Sequence, residues 1–386
     1  MTKRIVHVTE ALGGGVLSFL VELCNQSVLA GYAVSVIYSE RVESPENFRE
    51  LFNPGVKFIR VSMCRAIRPI HDARALIALV SALHSSKPDV IHLHSSKAGV
   101  LGRIAARVAT PGAKLFYSPH GLSFLRSDVS KLARRLYLTF ERCANRLGGT
   151  IVACSQGEFE ELRNKIGAEN ARLIENGVDT DRVPKRKDRA DGKVMVGMMG
   201  RASFQKNHEL FQQIAESFSD ERVEFVWIGG HEAQLSASRA NAIRCTGWVE
   251  RMAALAAMSE LDVYVQTSRW EGMPLALVEA QVAGIPAVVT DVVGNRDVVI
   301  HGKTGFVATS RVELREYIEI LRSNPSLRNS MGQAAATSAV ERFCLDVKFR
   351  QWVSLYEDAV ASAVTSVNTA REPSNIELAS SRREAI

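Results

Sequence analysis

Short apolar runs alternate along the chain with longer segments whose apolar residues recur at helical spacing. In the first half, the runs that predict strands are Arg4–Thr9, Ala33–Ser39, Val56–Val61, Val90–Leu93, Leu115–Ser118 and Thr150–Ala153. The alternation begins again with Val194–Met199, Val223–Ile228, Asp262–Val265 and Ala287–Val289. Strands that alternate with helices form parallel sheets covered on both faces, so the pattern predicts an α/β protein.

A charged, proline-containing stretch interrupts this pattern near the middle of the chain. Residues 179–192 read DTDRVPKRKDRADG and predict a linker between a first domain, residues 1–178, and a second domain, residues 193–345. Residues 365–386 are polar and lack aromatic side chains, which predicts a disordered tail. A ligand is therefore expected in a cleft between two α/β domains.

The stretch Ser268–Gly305 carries the most informative candidate chemistry. A loop leads to Pro274, which suits the first turn of a helix, and that helix is expected to end at Gly284. The free N–H groups and the positive dipole at such a helix start favour a phosphate. Glu271 precedes the helix, and Glu279 lies roughly 7–8 Å deeper by helical rise. One carboxylate can then reach a sugar and the other a ribose, on opposite sides of a diphosphate.

Two further loops offer glycines and cations directly after predicted strands. Gly13–Gly15 ends the first strand and opens a helix, where a backbone without side chains can approach a phosphate or a sugar. In the second half, Gly200 is followed by Arg201 and, five residues later, by Lys206. Two cations in such a loop can balance the negative charge of a bound group.

Taken together, these segments resemble the retaining glycosyltransferases of family 4, which have two Rossmann-like doubly wound domains facing a cleft, the GT-B arrangement. The stretch around Glu271 is similar to their Glu-x7-Glu region. Gly200–Asn207 is similar to their G-R-x-x-x-x-K-[GN] signature, and Asn295–Asp297 stands at the usual acidic centre of a G-x-x-[DE]-x-[IV]-x-x-G-x-x-G continuation. The resemblance covers residues 3–360 and implies that residues 346–362 cross back onto the first domain.

The resemblance also implies roles for individual residues. Glu271 would lie against the donor sugar, Glu279 would hold the ribose hydroxyls, and Arg201 and Lys206 would clamp the pyrophosphate. His120, in a loop after a strand, would help to position the sugar. The residues implied to be catalytic are His120, Arg201, Lys206 and Glu271, and those implied to bind the donor are Gly14, Gly15, Gly200, Gly272, Met273, Pro274, Leu275 and Glu279.

The implied reaction transfers a hexose, with retention, from a nucleotide-diphosphate donor to a glycan or lipid-linked acceptor. A UDP-sugar is favoured over a GDP-sugar, and polysaccharide or lipopolysaccharide assembly would be the setting. Two alternatives stay open. Gly13-x-Gly15-x-x-Ser18 together with Glu40 is an imperfect dinucleotide fingerprint, which would fit an NAD(P)-dependent oxidoreductase. A non-catalytic nucleotide-sugar-binding protein would share the same motifs.

The sequence offers no recognisable metal-binding motif. It has no D-x-D pair after a strand, no His/Cys cluster, and six cysteines without C-x-x-C pairing. His92 and His94 are interpreted as packing residues first and as acceptor contacts second. Arg201 and Lys206 would supply a metal's electrostatic role, so transfer without a metal or other cofactor is expected.

Positive charge is concentrated in the first half of the chain. Residues 1–150 contain 20 Lys/Arg and 10 Asp/Glu, whereas the whole chain has a net charge of only +6. This imbalance predicts an anionic membrane surface as a partner, and no nucleic acid is expected. The N-terminus lacks the apolar region of a signal peptide, and no apolar run reaches the length of a membrane span. A cytoplasmic location, peripheral at the inner face of the plasma membrane, is therefore expected.

The predicted helix Val129–Leu147 carries much of this charge. Its apolar residues at helical spacing, predicted to face the core, are Val129, Leu132, Leu136, Phe140 and Leu147. Its basic residues, predicted to lie on the opposite face, are Lys131, Arg134, Arg135, Arg142 and Arg146. This basic face is the part of the first domain expected to meet the membrane.

Overall fold

A computed structural model describes residues 2–10, 12–41, 44–189, 192–235 and 243–369. The first half forms a seven-stranded, fully parallel sheet with the order β3-β2-β1-β4-β5-β6-β7. Its strands are β1 (Arg4–Thr9), β2 (Ala33–Tyr38), β3 (Lys57–Arg60), β4 (Val90–His94), β5 (Lys114–Ser118), β6 (Thr150–Ala153) and β7 (Arg172–Leu173). The central strands are buried, which agrees with their nearly continuous apolar sequence.

Helices cover both faces of this first sheet. They are α1 (Gly14–Leu29), α2 (Pro69–Ser86), α3 (Ser96–Ala109), α4 (Lys131–Asn145) and α5 (Gln156–Glu161), which continues into a π-helical turn at Leu162–Ile166. Local sequence fixes several of their ends. Pro69 begins α2, Lys87 ends it in a left-handed conformation, and the Ser130 hydroxyl accepts a hydrogen bond from the Ala133 amide to cap α4.

The second half repeats the architecture with a six-stranded parallel sheet of order β10-β9-β8-β11-β12-β13. Its strands are β8 (Val194–Met199), β9 (Val223–Ile228), β10 (Ile243–Cys245), β11 (Val263–Gln266), β12 (Ala287–Thr290) and β13 (Gly305–Ala308). Its helices are α6 (His208–Ala215), α7 (Arg251–Met258), α8 (Leu275–Val282), α9 (Asn295–Val298), α10 (Arg311–Ser323), α11 (Pro325–Phe343) and α12 (Leu345–Thr369). The predicted α/β fold with two doubly wound sheets is confirmed.

The last helix, α12, returns to the first sheet. Trp352 and Tyr356 are buried in the core formed by α1 and the strands β1, β2 and β4. The helix continues to Thr369, so residues 365–369 are helical and not part of the disordered tail that their composition predicted. The rest of that predicted tail, residues 370–386, lies outside the described residues. The domain boundaries themselves stay a prediction.

Helix α4 is rotated from its predicted orientation. Leu132, Leu136 and Phe140, which were expected to face the core, are 76%, 47% and 40% exposed, and we call this row the exposed stripe. The inward face instead carries Glu141 and Ala144. The buried Glu141 carboxylate accepts a hydrogen bond from the Tyr117 hydroxyl at 2.9 Å, and the half-buried Tyr137 and Leu138 of α4 pack against the core.

Candidate active site

A cleft of about 1110 Å³ lies between the two sheets. It is lined by the loops that follow β1, β4 and β5 on one side and β8 and β11 on the other. These loops stand at the carboxyl ends of parallel strands, which is where open α/β sheets bind ligands. All of the candidate site residues predicted from the sequence line this cleft.

The start of α8 forms one wall of the cleft. Pro274 is the residue before the first helical turn, one position earlier than its sequence context predicted, and Leu275 opens the helix. Gly284 ends it with a φ of +82°. The first N–H groups of a helix have no intrahelical acceptor, so the amides of Leu275 and Ala276 are available to an anion in the cleft.

Glu271, directly before this helix, is held by an unusually complete set of donors. The Lys206 ammonium lies 2.8 Å from its Oε1, and the Ser268 hydroxyl donates to the same oxygen at 2.7 Å. The side-chain amides of Gln266 and Gln205 donate to Oε1 at 3.1 Å and to Oε2 at 3.2 Å. The carboxylate is buried, and its orientation is fixed by four side chains from two loops and the end of β11.

The loop of Lys206 is tied to the loop of Glu271 by further bonds. The Arg269 amide donates to the Gln205 carbonyl at 2.8 Å, and the Gln205 side chain donates to the Trp270 carbonyl at 3.0 Å. The Arg269 guanidinium lies 3.8 Å from the ring centroid of Phe204. Phe204 and Gln205 are two of the four residues between Arg201 and Lys206, so this chain's version of that segment locks the two loops together.

Glu279 lies on the inner side of the first turns of α8 and is only 1% exposed. The Arg251 guanidinium lies 2.6 Å from its Oε1. Burial raises the pKa of Glu279, and the charge of Arg251 opposes that rise. Arg251 begins α7 and also lines the cleft, but no sequence pattern singled it out.

Gly200 and Arg201 line the same side of the cleft as Glu271, in the loop that follows β8. Gly200 has a φ of +148°, which is a conformation that favours glycine, and its carbonyl accepts a hydrogen bond from the Trp227 indole at 2.8 Å. The Arg201 side chain is exposed on the cleft wall. Arg201 and Lys206 therefore both lie at the cleft, next to the start of α8.

On the first-domain side, Gly14 and Gly15 begin α1 at the edge of the cleft. A Cβ atom added to either residue would meet no atom within 4 Å, so open space lies in front of this backbone. Glu40 is the acidic residue of the imperfect dinucleotide fingerprint. Among the described residues that line the cleft, it is absent. Its carboxylate pairs with Arg60 at 2.8 Å.

His120 faces the cleft from the loop after β5, in a left-handed conformation with a φ of +53°. The next residue, Gly121, donates its amide to the buried Glu158 carboxylate at 2.8 Å. Gly272 lies directly against this loop, because a Cβ on Gly272 would be 2.6 Å from the Gly121 nitrogen. Glycine at position 272 thus lets the loops of the two domains touch beside Glu271.

Three histidines cluster beneath this loop, although the sequence showed no metal-type spacing. His7 on β1 pairs in register with His92 on β4, and His94 follows two positions later, so their buried rings meet. The expectation of no histidine cluster was therefore wrong. His92 is bonded to the Tyr356 hydroxyl at 2.7 Å and to the Ser118 hydroxyl at 2.9 Å. These two bonds hold the His92 ring within the packed core.

Comparison with known proteins identifies the family. The profile described as Glycosyltransferase Family 4 matches residues 13–182, and the profile described as Glycosyl transferases group 1 matches residues 179–338. The chain belongs to glycosyltransferase family 4. It is 28% identical over 338 residues to the UDP-Gal:alpha-D-GlcNAc-diphosphoundecaprenol alpha-1,3-galactosyltransferase of Escherichia coli, which covers 79% of this chain and 84% of that protein.

Solved structures show the same GT-B fold as this family 4 glycosyltransferase. Sucrose-phosphate synthase from Thermosynechococcus elongatus has a TM-score of 0.79 at 18% identity, covering 93% of this chain and 100% of the other. The Anabaena protein Alr3699/HepE, in complex with UDP and glucose, has a TM-score of 0.72 at 19% identity, covering 92% and 100%. Membership of this family gives no support to the alternative of an NAD(P)-dependent oxidoreductase.

One further residue links the two halves of the glycosyltransferase. Asp297, in the segment that stands at the acidic centre of the family pattern, accepts a hydrogen bond from the Gly294 amide at 2.9 Å. The same oxygen accepts one from the Gly157 amide at 3.1 Å, at the start of α5 in the first domain.

Among the described residues, no helix combines the length and apolar character that a membrane span requires.

Proposed function

We propose that this chain transfers a hexose, with retention, from a UDP-sugar to a lipid-linked glycan acceptor. The observation that carries the proposal is the joint position of Lys206, Arg201 and the start of α8 around the buried Glu271 carboxylate. A GDP-sugar is the second candidate donor. UDP is preferred because the Escherichia coli relative is named for UDP-Gal.

In this proposal, the donor diphosphate lies between the cations and the first amides of α8. A pyrophosphate there would meet the side chains of Arg201 and Lys206 on one side and the Leu275 and Ala276 amides on the other. Glu279 would accept from the ribose hydroxyls on the inner side of the phosphates. Arg251, which now pairs with Glu279, stands where it would meet the nucleotide.

The proposed role of Glu271 is to orient the sugar rather than to attack it. Its two oxygens are already engaged by four donors, and a carboxylate held in this way is a poor nucleophile. Retention would then follow if the acceptor hydroxyl attacks C1 on the face that the diphosphate leaves. The C1–O bond to phosphate breaks, the new glycosidic bond forms, and the acceptor proton goes to the departing phosphate oxygen. His120 would position the sugar from the other domain.

Lys206 and Arg201 supply the positive charge that the leaving group needs, and we therefore propose transfer without a divalent metal. Activity after dialysis against excess EDTA should equal that of untreated enzyme. Activity that disappears, and that Mg²⁺ or Mn²⁺ restores, would show that a metal takes part.

The acceptor proposal rests on the relative and on the surface beside the cleft. The Escherichia coli enzyme is named for an acceptor linked to diphosphoundecaprenol, a membrane lipid. The exposed stripe of α4 ends at Phe140, which itself lines the cleft, and basic residues surround it. An amphipathic helix with exposed apolar residues and flanking cations is suited to an anionic bilayer surface. We propose that the protein acts at the inner face of the plasma membrane through this helix.

A panel of UDP- and GDP-sugars tests the proposed activity. Thermal stabilisation by one nucleotide sugar would identify the donor, because a ligand that binds only the folded state raises stability by mass action. Transfer to a synthetic polyprenyl-diphosphate glycan, with NMR analysis of the anomeric linkage, would then establish retention. Binding without turnover would favour a non-catalytic binding protein. Stabilisation by NAD(P) alone would contradict the proposal.

A further inference from the structure

Buried histidines connect His120 to the centre of the first sheet. His94 Nδ1 lies 3.0 Å from His120 Nε2, and His94 Nε2 lies 3.0 Å from His7 Nδ1. The rings of His94 and His120 are stacked, with centroids 5.3 Å apart and an interplanar angle of 17°. The three rings therefore form a continuous hydrogen-bonded chain from β1 to the cleft.

Among the described residues, this row of histidine rings has one ring nitrogen without a hydrogen bond at each end. His7 Nε2 is buried and has no hydrogen-bond partner among the described residues. At the other end, His120 faces the cleft, and His94 accounts for its Nε2. Within the described part of the chain, no hydrogen bond joins His120 Nδ1, so this nitrogen is left for a ligand.

Each neutral imidazole has one N–H, so the protons of the three rings must be arranged in one of two directions. If His7 donates to His94 and His94 donates to His120, the proton of His120 is on Nδ1. In the opposite direction, His120 donates through Nε2, and the proton of His7 is on the buried, unpartnered Nε2. Orphaned buried donors are rarer in proteins than unused acceptors, which favours the first direction.

Burial keeps these rings neutral. It lowers the pKa of His7 to about 3 and that of His120 to about 4, and it holds the pKa of His94 well below its ordinary value. The left-handed backbone of His120, with a φ of +53°, places the ring against His94. Such a conformation is uncommon outside glycine and concentrates at functional sites.

We propose that His7 and His94 are positioning residues that hold the proton of His120 on Nδ1, so that this nitrogen donates a hydrogen bond to an oxygen of the bound ligand. In the proposed reaction that oxygen belongs to the donor sugar. The inference therefore rests on the proposed function for its ligand, but the tautomer of His120 does not depend on it.

Nuclear magnetic resonance of ¹⁵N-histidine-labelled protein tests the proposal directly. Two-bond ¹H–¹⁵N correlations distinguish the Nδ1–H tautomer from the Nε2–H tautomer, and the signals of His120 are those missing from His120→Asn. We expect the Nδ1–H tautomer in the unsubstituted protein. An Nε2–H tautomer would overturn the proposal, without any need for a variant in the chain of histidines.

Two variants test whether His7 and His94 set the tautomer of His120. His94→Phe removes the partner of His120, and His7→Asn offers His94 either a donor or an acceptor, so the direction is no longer set. Both should give a mixture of His120 tautomers. Both should lower kcat/KM for the nucleotide sugar roughly two- to tenfold, the value of one net hydrogen bond, while the affinity for the free nucleoside diphosphate is unchanged.

His92→Phe is the matched control. His92 is as buried as His94, and its ring centroid lies 4.0 Å from that of His94, but its nitrogens bond to Tyr356 and Ser118 instead. The control should lower thermal stability and leave the His120 tautomer unchanged. An unchanged tautomer in His94→Phe and His7→Asn would overturn the proposal. So would one zinc ion per chain, bound by the unsubstituted protein and absent from His92→Phe, because the histidines would then be a metal site. Failure of every sugar donor would contradict the proposed function alone.

Discussion

Lys206 has two proposed roles, because it pairs with Glu271 and would balance the charge of the leaving diphosphate. Its ammonium is paired with Glu271 at 2.8 Å and lines the cleft, so it can stay in place while a diphosphate binds beside it. Lys206→Ala should raise the transition-state barrier by about 2–4 kcal/mol, as expected for the loss of an electrostatic contact to a leaving group. Steady-state kinetics with the identified donor would show a fall in kcat/KM of roughly 30- to 900-fold.

An exposed lysine in the same domain gives the control for this substitution. Lys303 lies outside the cleft lining, and Lys303→Ala should retain kcat/KM within twofold. If Lys206→Ala also stays within twofold, the assignment of the diphosphate to this loop is wrong.

At this scale, sequence reasoning predicted the charged residues but not their supports. Glu271, Lys206 and Glu279 belong to spaced motifs, and a motif can be read from the chain. Gln205, Gln266 and Ser268 hold Glu271 through hydrogen bonds of 2.7–3.2 Å, and Arg251 holds Glu279 at 2.6 Å. Single polar side chains on separate elements have no periodicity or common spacing, so only the fold reveals that they converge.

Among the elements, the contact between the loop of His120 and the start of α8 depends on one missing side chain. A Cβ on Gly272 would be 2.6 Å from the Gly121 nitrogen and 2.8 Å from the His120 carbonyl carbon, and neither backbone atom can give way easily. Gly272→Ala should therefore separate the loops and lower kcat/KM at least tenfold, since small misplacements of reacting groups are costly. Gly112→Ala, where an added Cβ meets nothing within 4 Å, is the control. Equal activity of the two variants would show that the loops need not touch.

The adjacent strands β1 and β4 together carry a pH-dependent contribution to stability. Burial holds the pKa values of His7, His92 and His94 below that of an unfolded histidine, near 6.5. The unfolded chain therefore binds more protons than the folded one below that pH. The contribution of these histidines is present above pH 6.5 and is lost as the pH falls towards the folded pKa of His7, about 3.

Urea unfolding at pH 7.5 and pH 5 measures this contribution. For each neutral buried histidine, the free energy of unfolding should be lower at pH 5 than at pH 7.5 by up to about 2 kcal/mol. His92→Phe should reduce the difference by up to that amount. A pH dependence identical to that of the unsubstituted protein would mean that the pKa of His92 is not lowered by folding.

The fold itself was largely predictable from the sequence because each central strand is a continuous apolar run. The strands β7, β10 and β13 were missed, since they have only two, three and four residues and stand at or near sheet edges. The orientation of α4 was also wrong. Its inward face carries Tyr137, Leu138 and Ala144 together with Glu141, whose carboxylate accepts from Tyr117, and periodicity does not predict that polar pair.

For the whole molecule, that rotation changes how the protein would meet a membrane. The basic face of α4 was expected to meet the membrane, with the apolar residues of the helix facing the core, but Leu132, Leu136 and Phe140 are exposed. Cations near an anionic bilayer contribute roughly 1 kcal/mol each, and exposed apolar side chains add burial in the interface. Binding should therefore be sensitive to salt but not abolished by it.

Co-sedimentation with vesicles at low and high salt separates the two contributions. We expect binding to vesicles with anionic lipid, weaker binding at high salt, and little binding to neutral vesicles. Leu132→Gln combined with Leu136→Gln should remove the binding that survives high salt, and Arg135→Gln combined with Arg142→Gln should weaken binding at low salt. Leu29→Gln is the matched control, because Leu29 is 73% exposed at the end of α1, outside the exposed stripe. If the Leu132 and Leu136 substitutions bind like this control, α4 does not enter the interface, and its basic residues are ordinary solvated charge.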